Sequence, residues 1–428
     1  MAEFTPFHGL RYNPEKVRLD DVIAPPYDVI KGAMRDELVA RSEYNVVEIE
    51  LPEGQGDAKY ENAAAILQRW RESEIFVQDD AAFYVYEQEF RVPGTNEVLQ
   101  RRGVLGALQL EEFGEGVQPH EHTLSGPKQD RLKLLRATQT NISPIFGLFG
   151  DNDGWAATLL QTVCTESQPL LEARDGDGIL HRMWRLTDDE TVNAIVGALD
   201  DEPVLIADGH HRYETALNYR NECAKAAKEN WTGAEPENFV MMLCVSMQDS
   251  GLIVLPTHRL VKNVAAETVA ALPEKLTEVF EVEKAFGSAE DLVGLVNEGE
   301  TIRIGFVAPD AQYVLTLKDG AAPKALMDET RSQAFNTLDV TILHRLILER
   351  ELEIDAEKLA AGEHVAYNIS AGEAAQKVSS GEYSAAFILR PTRVEQVRDC
   401  CASGDKMPQK STYFYPKLTT GLVLRPLN

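Results

Sequence analysis

At 428 residues, with 44% hydrophobic and 26% charged residues, the chain has the composition of a globular protein large enough for two or more cores, not of a disordered or fibrous one. Its 69 acidic against 42 basic residues leave a formal charge of −27, which excludes a general affinity for nucleic acid, because such binding rests on cationic neutralisation of phosphates. The start Met1-Ala2-Glu3-Phe4 lacks a basic and apolar leader and no apolar run is long enough to span a bilayer, so the expectation is a cytoplasmic protein with no membrane partner.

Along the chain the hydrophobic spacing alternates between periods of 3.6 and 2, as in a mixed α/β architecture. Near the start, Ala24-Pro25-Pro26-Tyr27-Asp28-Val29-Ile30 carries two prolines that fix an extended approach to Asp28. A carboxylate held in this way suits a general base, and equally a helix cap. Residues 57–73 read as a helix and Ala82–Phe90 as a strand. His120-Glu121-His122 then leads into a segment in which Pro127 suits a first helical turn and Lys128 and Arg131, three apart, share a face. Residues 120–136 hold four Lys/Arg against two acids, which reverses the balance of the whole chain. They suit an anion, or else a solvated helix whose cations pair with Glu121 and Asp130. His120 and His122 do not read as a metal pair, since their i,i+2 spacing serves one ion only on an extended segment and no third ligand is evident. The segment closes on Thr140-Asn141-Ile142-Ser143-Pro144, a polar turn offering amide and hydroxyl groups.

The central motif is Val204-Leu205-Ile206-Ala207 followed by Asp208-Gly209-His210-His211-Arg212. It reads as a buried strand, a glycine turn, and an amphipathic helix that turns Tyr213, Ala216 and Leu217 inward. Such a junction aims the unpaired N–H groups and positive end of the helix at an anion beyond the strand. The plain structural alternative has Asp208 capping the helix, Arg212 paired with it and the histidines solvated. Two adjacent histidines beside an arginine favour anion or proton handling instead.

Further on, residues 264–280, 338–353 and 393–402 read as helices, and Phe239–Ser246 and Ala385–Leu389 as strands. The five cysteines, Cys164, Cys223, Cys244, Cys400 and Cys401, form no CxxC or Cys/His metal spacing and read as small buried hydrophobes. The closing run Lys406 to Lys417 has three lysines and no acid, and exposes Tyr413, Phe414 and Tyr415 unless it docks. Docking brings Lys410, Ser411 and Thr412 within reach of a site.

With these residues assembled, the chain resembles the family known as domain of unknown function 1015. The resemblance rests on His8-Gly9-Leu10-Arg11-Tyr12, Ala24 to Ile30, His120 to Arg131, Asn141 to Phe146, Asp208 to Tyr213 and Met407-Pro408 to Gly421. The Asp-Gly-His-His-Arg turn is also similar to the phosphate turn of the ParB/sulfiredoxin superfamily. Sulfiredoxin carries a nucleophilic cysteine where this chain has His210, so that activity is excluded. ParB-type clamps need a basic DNA-binding partner domain, which this chain does not offer. Free-serine kinases have a similar turn, Asp-Gly-His-Thr-Arg, from which His211 departs.

The resemblance implies a mixed α/β (α+β) fold with a ParB/sulfiredoxin-like phosphate-binding core over residues 1–260 and a further α/β region over 261–428, whose end packs back toward the site. It implies a phosphotransferase converting free L-serine to O-phosphoserine, with pyrophosphate or ATP/ADP as donor and Mg²⁺ as cofactor. Gly209, His210, Arg212, His120, Lys128, Arg131 and Lys410 are expected on phosphate, Asn141, Ser143 and Thr412 on substrate, and Asp28, Asp208 and His211 in catalysis. No Walker-A loop and no G-x-G-x-x-G after a strand is present, which removes the usual sequence evidence for a nucleotide without excluding one, and the resemblance to pyrophosphate-dependent serine kinases places pyrophosphate ahead. A phosphoserine phosphatase and a non-catalytic nucleotide-binding regulator are the alternatives, and the oligomeric state stays open.

Overall fold

The computed structural model describes residues 3–114, 116–123, 125–199, 203–318 and 328–428. The Met1-Ala2 start and Leu124 lie outside them. The chain divides into two compact units, one of residues 1–119, 123–253 and 416–428 and the other of residues 120–122 and 254–415.

The first unit is built on a nine-stranded mixed sheet. Its strands in chain order are β1 (Phe4–Thr5), β2 (Phe83–Arg91), β3 (Val98–Gln109), β4 (Val117–Pro119), β5 (Ile145–Phe149), β6 (Leu171–Arg174), β7 (Leu180–Leu186), β8 (Val204–Asp208) and β9 (Phe239–Ser246). They lie in the order β4-β8-β5-β9-β3-β2-β7-β6, with β1 on β3. β8 runs parallel to β4 and β9 parallel to β5, while the β8–β5 and β9–β3 pairs are antiparallel. Alternation along the strands separates two faces. Phe83, Val85, Val104, Val204 and Ile206 go to an apolar core shared with Tyr213, Ala216 and Leu217. A second core gathers Leu10, Tyr12, Val22, Trp70 and Phe76.

Three helices of this unit bear on the site: α1 (Ala58–Glu72), α2 (Ser125–Thr138) and α3 (His210–Ala227). They match the expected positions because each has apolar residues at helical spacing, with Tyr213, Ala216 and Leu217 buried on α3 as its pattern requires.

The second unit has a six-stranded sheet formed by β10 (His258–Val261), β11 (Phe280–Ala285), β12 (Arg303–Ala308), β13 (Ala311–Leu317), β14 (Val365–Asn368) and β15 (Ala385–Ile388), in the order β11-β13-β12-β15-β10-β14. Helices Ala266–Leu276, Ala289–Asn297, Ala371–Ser379 and Val394–Ala402 belong to it. Two expectations change here. The helix expected over 264–280 ends at Leu276, and Phe280 opens a strand whose ladder with β13 runs from Phe280 to Ala285. The helix expected over 338–353 changes from α at Asp339–Leu343 to π at His344–Glu349, a winding that the apolar pattern does not distinguish. Among the described residues no helix is long and apolar enough to cross a membrane.

Candidate functional site

The strand-turn-helix junction forms as its residues dictate. Between Ile206 and Asp208 the β8–β5 register shifts, so that Asp208 stands opposite Phe146. Such a bulge re-aims the side chain that follows it. Gly209 then takes φ +93°, the left-handed region that favours glycine, and α3 starts at His210. A Cβ on Gly209 would also come within 3.0 Å of the Arg212 guanidinium, which lies over the turn.

The expected Asp208–Arg212 pair is present, but Asp208 does not cap the helix. Arg212 Nη2 donates to Asp208 Oδ2 at 2.8 Å, and Arg212 Nη1 donates to the carbonyl of Pro144. On the other carboxylate oxygen, Lys417 Nζ donates at 2.6 Å. Burial works against the Asp208 charge, yet Lys417 and Arg212 outweigh it and hold the carboxyl well below its ordinary range. Asp208 is therefore a weak base that positions two cations. His210, the first residue of α3, is buried and adds to the same field, and His211 beside it is half-buried.

Arg212 also lines a narrow cleft with Glu50, Arg131, Asn141, Ser143, Thr140 and Thr215. Its free volume is about 50 Å³. That is room for a few water molecules or a compound of similar size. Arg131 on α2 is buried: its Nη2 donates to Asp130 Oδ2 at 2.6 Å, its Nη1 to the Glu50 carbonyl at 2.6 Å, and its guanidinium lies 4.3 Å from the centre of the Tyr27 ring. Glu50, at the end of the short helix Val47–Glu50, is 2% exposed. Ser143 Oγ donates to its Oε1 at 2.9 Å, and Arg131 Nη1 is 3.6 Å from the same oxygen. Burial pushes the Glu50 carboxyl above its ordinary value, against the opposing pull of Arg131, Ser143 and Arg212. Burial likewise pushes the Tyr27 hydroxyl up to about 12.

The cleft thus gathers Arg131, Asn141, Ser143 and Arg212 from segments more than sixty residues apart in the case of α2 and α3. Asp28 is exposed on the turn after Pro25-Pro26, and its charge bears on both Tyr27 and Glu50. Asn141 Oδ1 accepts from Met241 N at 3.0 Å and from Arg425 Nη1 at 3.2 Å, so part of its bonding holds the fold. Lys128, expected beside Arg131, instead meets Glu214 of α3 at 2.5 Å. His120, Lys410 and Thr412 belong to the second unit. There His120 Nε2 lies 2.8 Å from Thr412 Oγ1, both buried, while Lys410 is exposed with φ +58°.

Sequence reasoning missed Glu50 and did not single out Lys417. For Glu50 a signal existed: an acid flanked by the apolar Ile49 and Leu51 at the end of the run Val46-Val47-Glu48-Ile49-Glu50. Lys417 was visible only as one cation of the closing run, with nothing local to pair it with Asp208.

Fold and site define a mixed α/β protein with a cation-lined cleft beside a strand-glycine-helix turn. The chain belongs to the DUF1015 family, described as a protein of unknown function, whose family model covers residues 4–341. No curated protein matches the chain. Among solved structures it is similar to a variant of a free serine kinase in complex with AMP, at 13% identity, TM-score 0.36, over 72% of this chain and 89% of that one. A conserved hypothetical protein from Pyrococcus furiosus is similar at 13% identity and TM-score 0.33, over 73% of this chain and 98% of that one. C-terminally truncated SbnI from Staphylococcus aureus is similar at 10% identity and TM-score 0.34, over 76% and 87%.

Proposed function

We propose that the chain is a small-molecule kinase that phosphorylates free L-serine, with pyrophosphate ahead of ATP or ADP as donor, and that the junction at Gly209 is the phosphate turn of a ParB/sulfiredoxin-like core. The observation that carries this reading is the cleft in which a buried carboxylate with a raised pKa, Glu50, stands beside the cations Arg131 and Arg212. Phosphoryl transfer asks for little more than a base for the acceptor hydroxyl and fixed positive charge for the phosphates.

In this reading Glu50 takes the proton of the serine hydroxyl. The hydroxyl oxygen then bonds to the terminal phosphorus as the bond to the leaving phosphate breaks. Glu50 is assigned this role ahead of Asp208, whose basicity is suppressed by its two cations, and ahead of Asp28, which is exposed. Arg212, with His210 and His211 at the helix start, binds the donor phosphates, and Arg131 offsets charge on the acceptor side. Ser143 orients Glu50 through its 2.9 Å hydrogen bond. The small cleft favours a compact acceptor over a bulky one.

The magnesium ion expected from the sequence has no preformed cage here: among the described residues no three His, Cys, Asp or Glu side chains gather as a metal site.

The test is phosphorus NMR of the protein with L-serine and Mg²⁺ and, in turn, pyrophosphate, ADP and ATP. O-phosphoserine is expected to form, with kcat/KM highest for pyrophosphate. ATP or ADP exceeding pyrophosphate tenfold, about 1.4 kcal/mol, overturns the donor assignment and leaves the kinase standing. No phosphoserine from any donor, together with release of phosphate from added phosphoserine, replaces the kinase by a phosphatase.

A further inference from the structure

On the face of the first unit's sheet opposite its apolar core, Gln88, Arg101 and His181 form a polar patch, and the C-terminal segment lies against it. Gln88 on β2 and Arg101 on β3 stand directly opposite each other in the ladder, and His181 on β7 is opposite Gln88 on the other side. Arg101 is almost wholly buried, 1% exposed, and its guanidinium lies 4.5 Å from the centre of the Phe146 ring, the residue paired with Asp208. Taking a guanidinium out of water is costly unless its N–H groups are used. Arg101 Nη2 donates to the carbonyl of Pro416 at 2.6 Å and also to Gln88 Oε1. Gln88 Nε2 in turn donates to the next carbonyl, that of Lys417, at 3.0 Å. Two residues later the backbone N–H of Thr419 bonds to the Tyr86 hydroxyl. Tyr86 is 2.7 Å from His181 Nδ1, and His181 Nε2 is 3.1 Å from Asp175 Oδ2.

Consecutive carbonyls of a segment that local sequence would leave irregular are thus pinned from one point of the sheet. The side chain that leaves this pinned stretch is Lys417, which reaches Asp208 at 2.6 Å. Asp208 divides itself between Lys417 and Arg212, so one carboxylate holds two cations at the turn.

We propose that Lys417 is a phosphate-binding cation of the Asp208 turn, and that Arg101 and Gln88 are positioning residues that act through it by fixing the carbonyls of Pro416 and Lys417. The proposal rests on the phosphoryl-transfer reading and adds to it the residue by which the end of the chain completes the phosphate site. On binding, the ammonium of Lys417 turns part of its hydrogen bonding from Asp208 to a phosphate oxygen, while Asp208 keeps Arg212 in place. Neither positioning residue touches the ligand.

The experiment is a double-mutant cycle read by calorimetry with inorganic pyrophosphate, on the full chain. Lys417→Met is expected to weaken binding tenfold or more, and Lys417→Arg to restore most of it. Arg101→Met and Gln88→Met are each expected to weaken binding in the single variants. In combination with Lys417→Met they are expected to add less than twofold, because their effect is already lost with the lysine. Gln88→Met removes no buried charge and serves if Arg101→Met does not fold, as judged by circular dichroism. Unchanged pyrophosphate affinity in Lys417→Met, with the unaltered protein binding normally, overturns the proposal alone. Losses in the double variants that multiply those of the singles overturn the positioning role, since they mark independent effects on the fold. If the unaltered protein binds neither pyrophosphate nor ADP, the phosphate reading fails, and the proposal fails with it.

Discussion

Asp208 and Glu50 are carboxylates of the same unit, both within the field of Arg212, and their surroundings drive them in opposite directions. At the turn, Asp208 has an ammonium at 2.6 Å and a guanidinium at 2.8 Å, and this direct pairing outweighs the cost of burial. In the cleft, the nearest cation to the Glu50 carboxylate is Arg131 at 3.6 Å, the short contact at 2.9 Å is a neutral hydroxyl, and burial prevails. Whether a buried acid becomes an anchor or a base thus depends on roughly an ångström of distance to its cation. Two titratable groups whose environments push their pKa values apart are the pattern by which acid–base roles are divided at a site.

The sharpest way to break this contrast is Glu50→Gln. Loss of a general base from the transition state is expected to lower kcat by about 10²–10⁴-fold, with pyrophosphate affinity largely kept. Single-turnover phosphorus NMR checks it, and an unaltered rate returns the base role to Asp28. Next is Arg212→Ala, which removes the guanidinium shared between the turn and the cleft. It is expected to cost on the order of 2–4 kcal/mol of pyrophosphate binding. Calorimetry showing the same affinity as the unaltered protein would place the phosphate elsewhere. The smallest effect is that of Asp208→Asn, which leaves Lys417 and Arg212 without their shared carboxylate and is expected to cost about 1–3 kcal/mol of stability at neutral pH. It is measured by urea unfolding.

The two carboxylates also differ in the sign of their pH dependence. Asp208 has a folded pKa below its unfolded one, so its stabilisation is present above the ordinary value of 3.8 and is lost as pH falls through the lower folded value. Glu50 has a raised folded pKa, so its contribution is present below the ordinary 4.5 and is lost as pH rises through the higher folded value. The acid limb of kcat/KM is accordingly expected above the ordinary glutamate value of 4.5 and to disappear from the residual rate of Glu50→Gln. A limb that stays in place in that variant separates the titration from Glu50.

Local sequence determined the parts of this molecule whose interactions are short in range. Val204 to Ala207 had to be a buried strand, Gly209 had to supply the positive φ, and Tyr213, Ala216 and Leu217 had to face a core, because periodicity and glycine geometry are properties of neighbouring residues. The run from Asn141 to Ser143 and the helix carrying Arg131 were likewise legible as polar and basic segments, and both line the cleft. The burial of Glu50, its meeting with Ser143 and Arg131 from segments some eighty to ninety residues away, and the reach of Lys417 back to Asp208 across 209 positions were decided by the tertiary structure. A carboxylate's pKa depends on desolvation and on charges a few ångströms away in space, and chain order carries no record of those distances until the sheet and the C-terminal segment have packed.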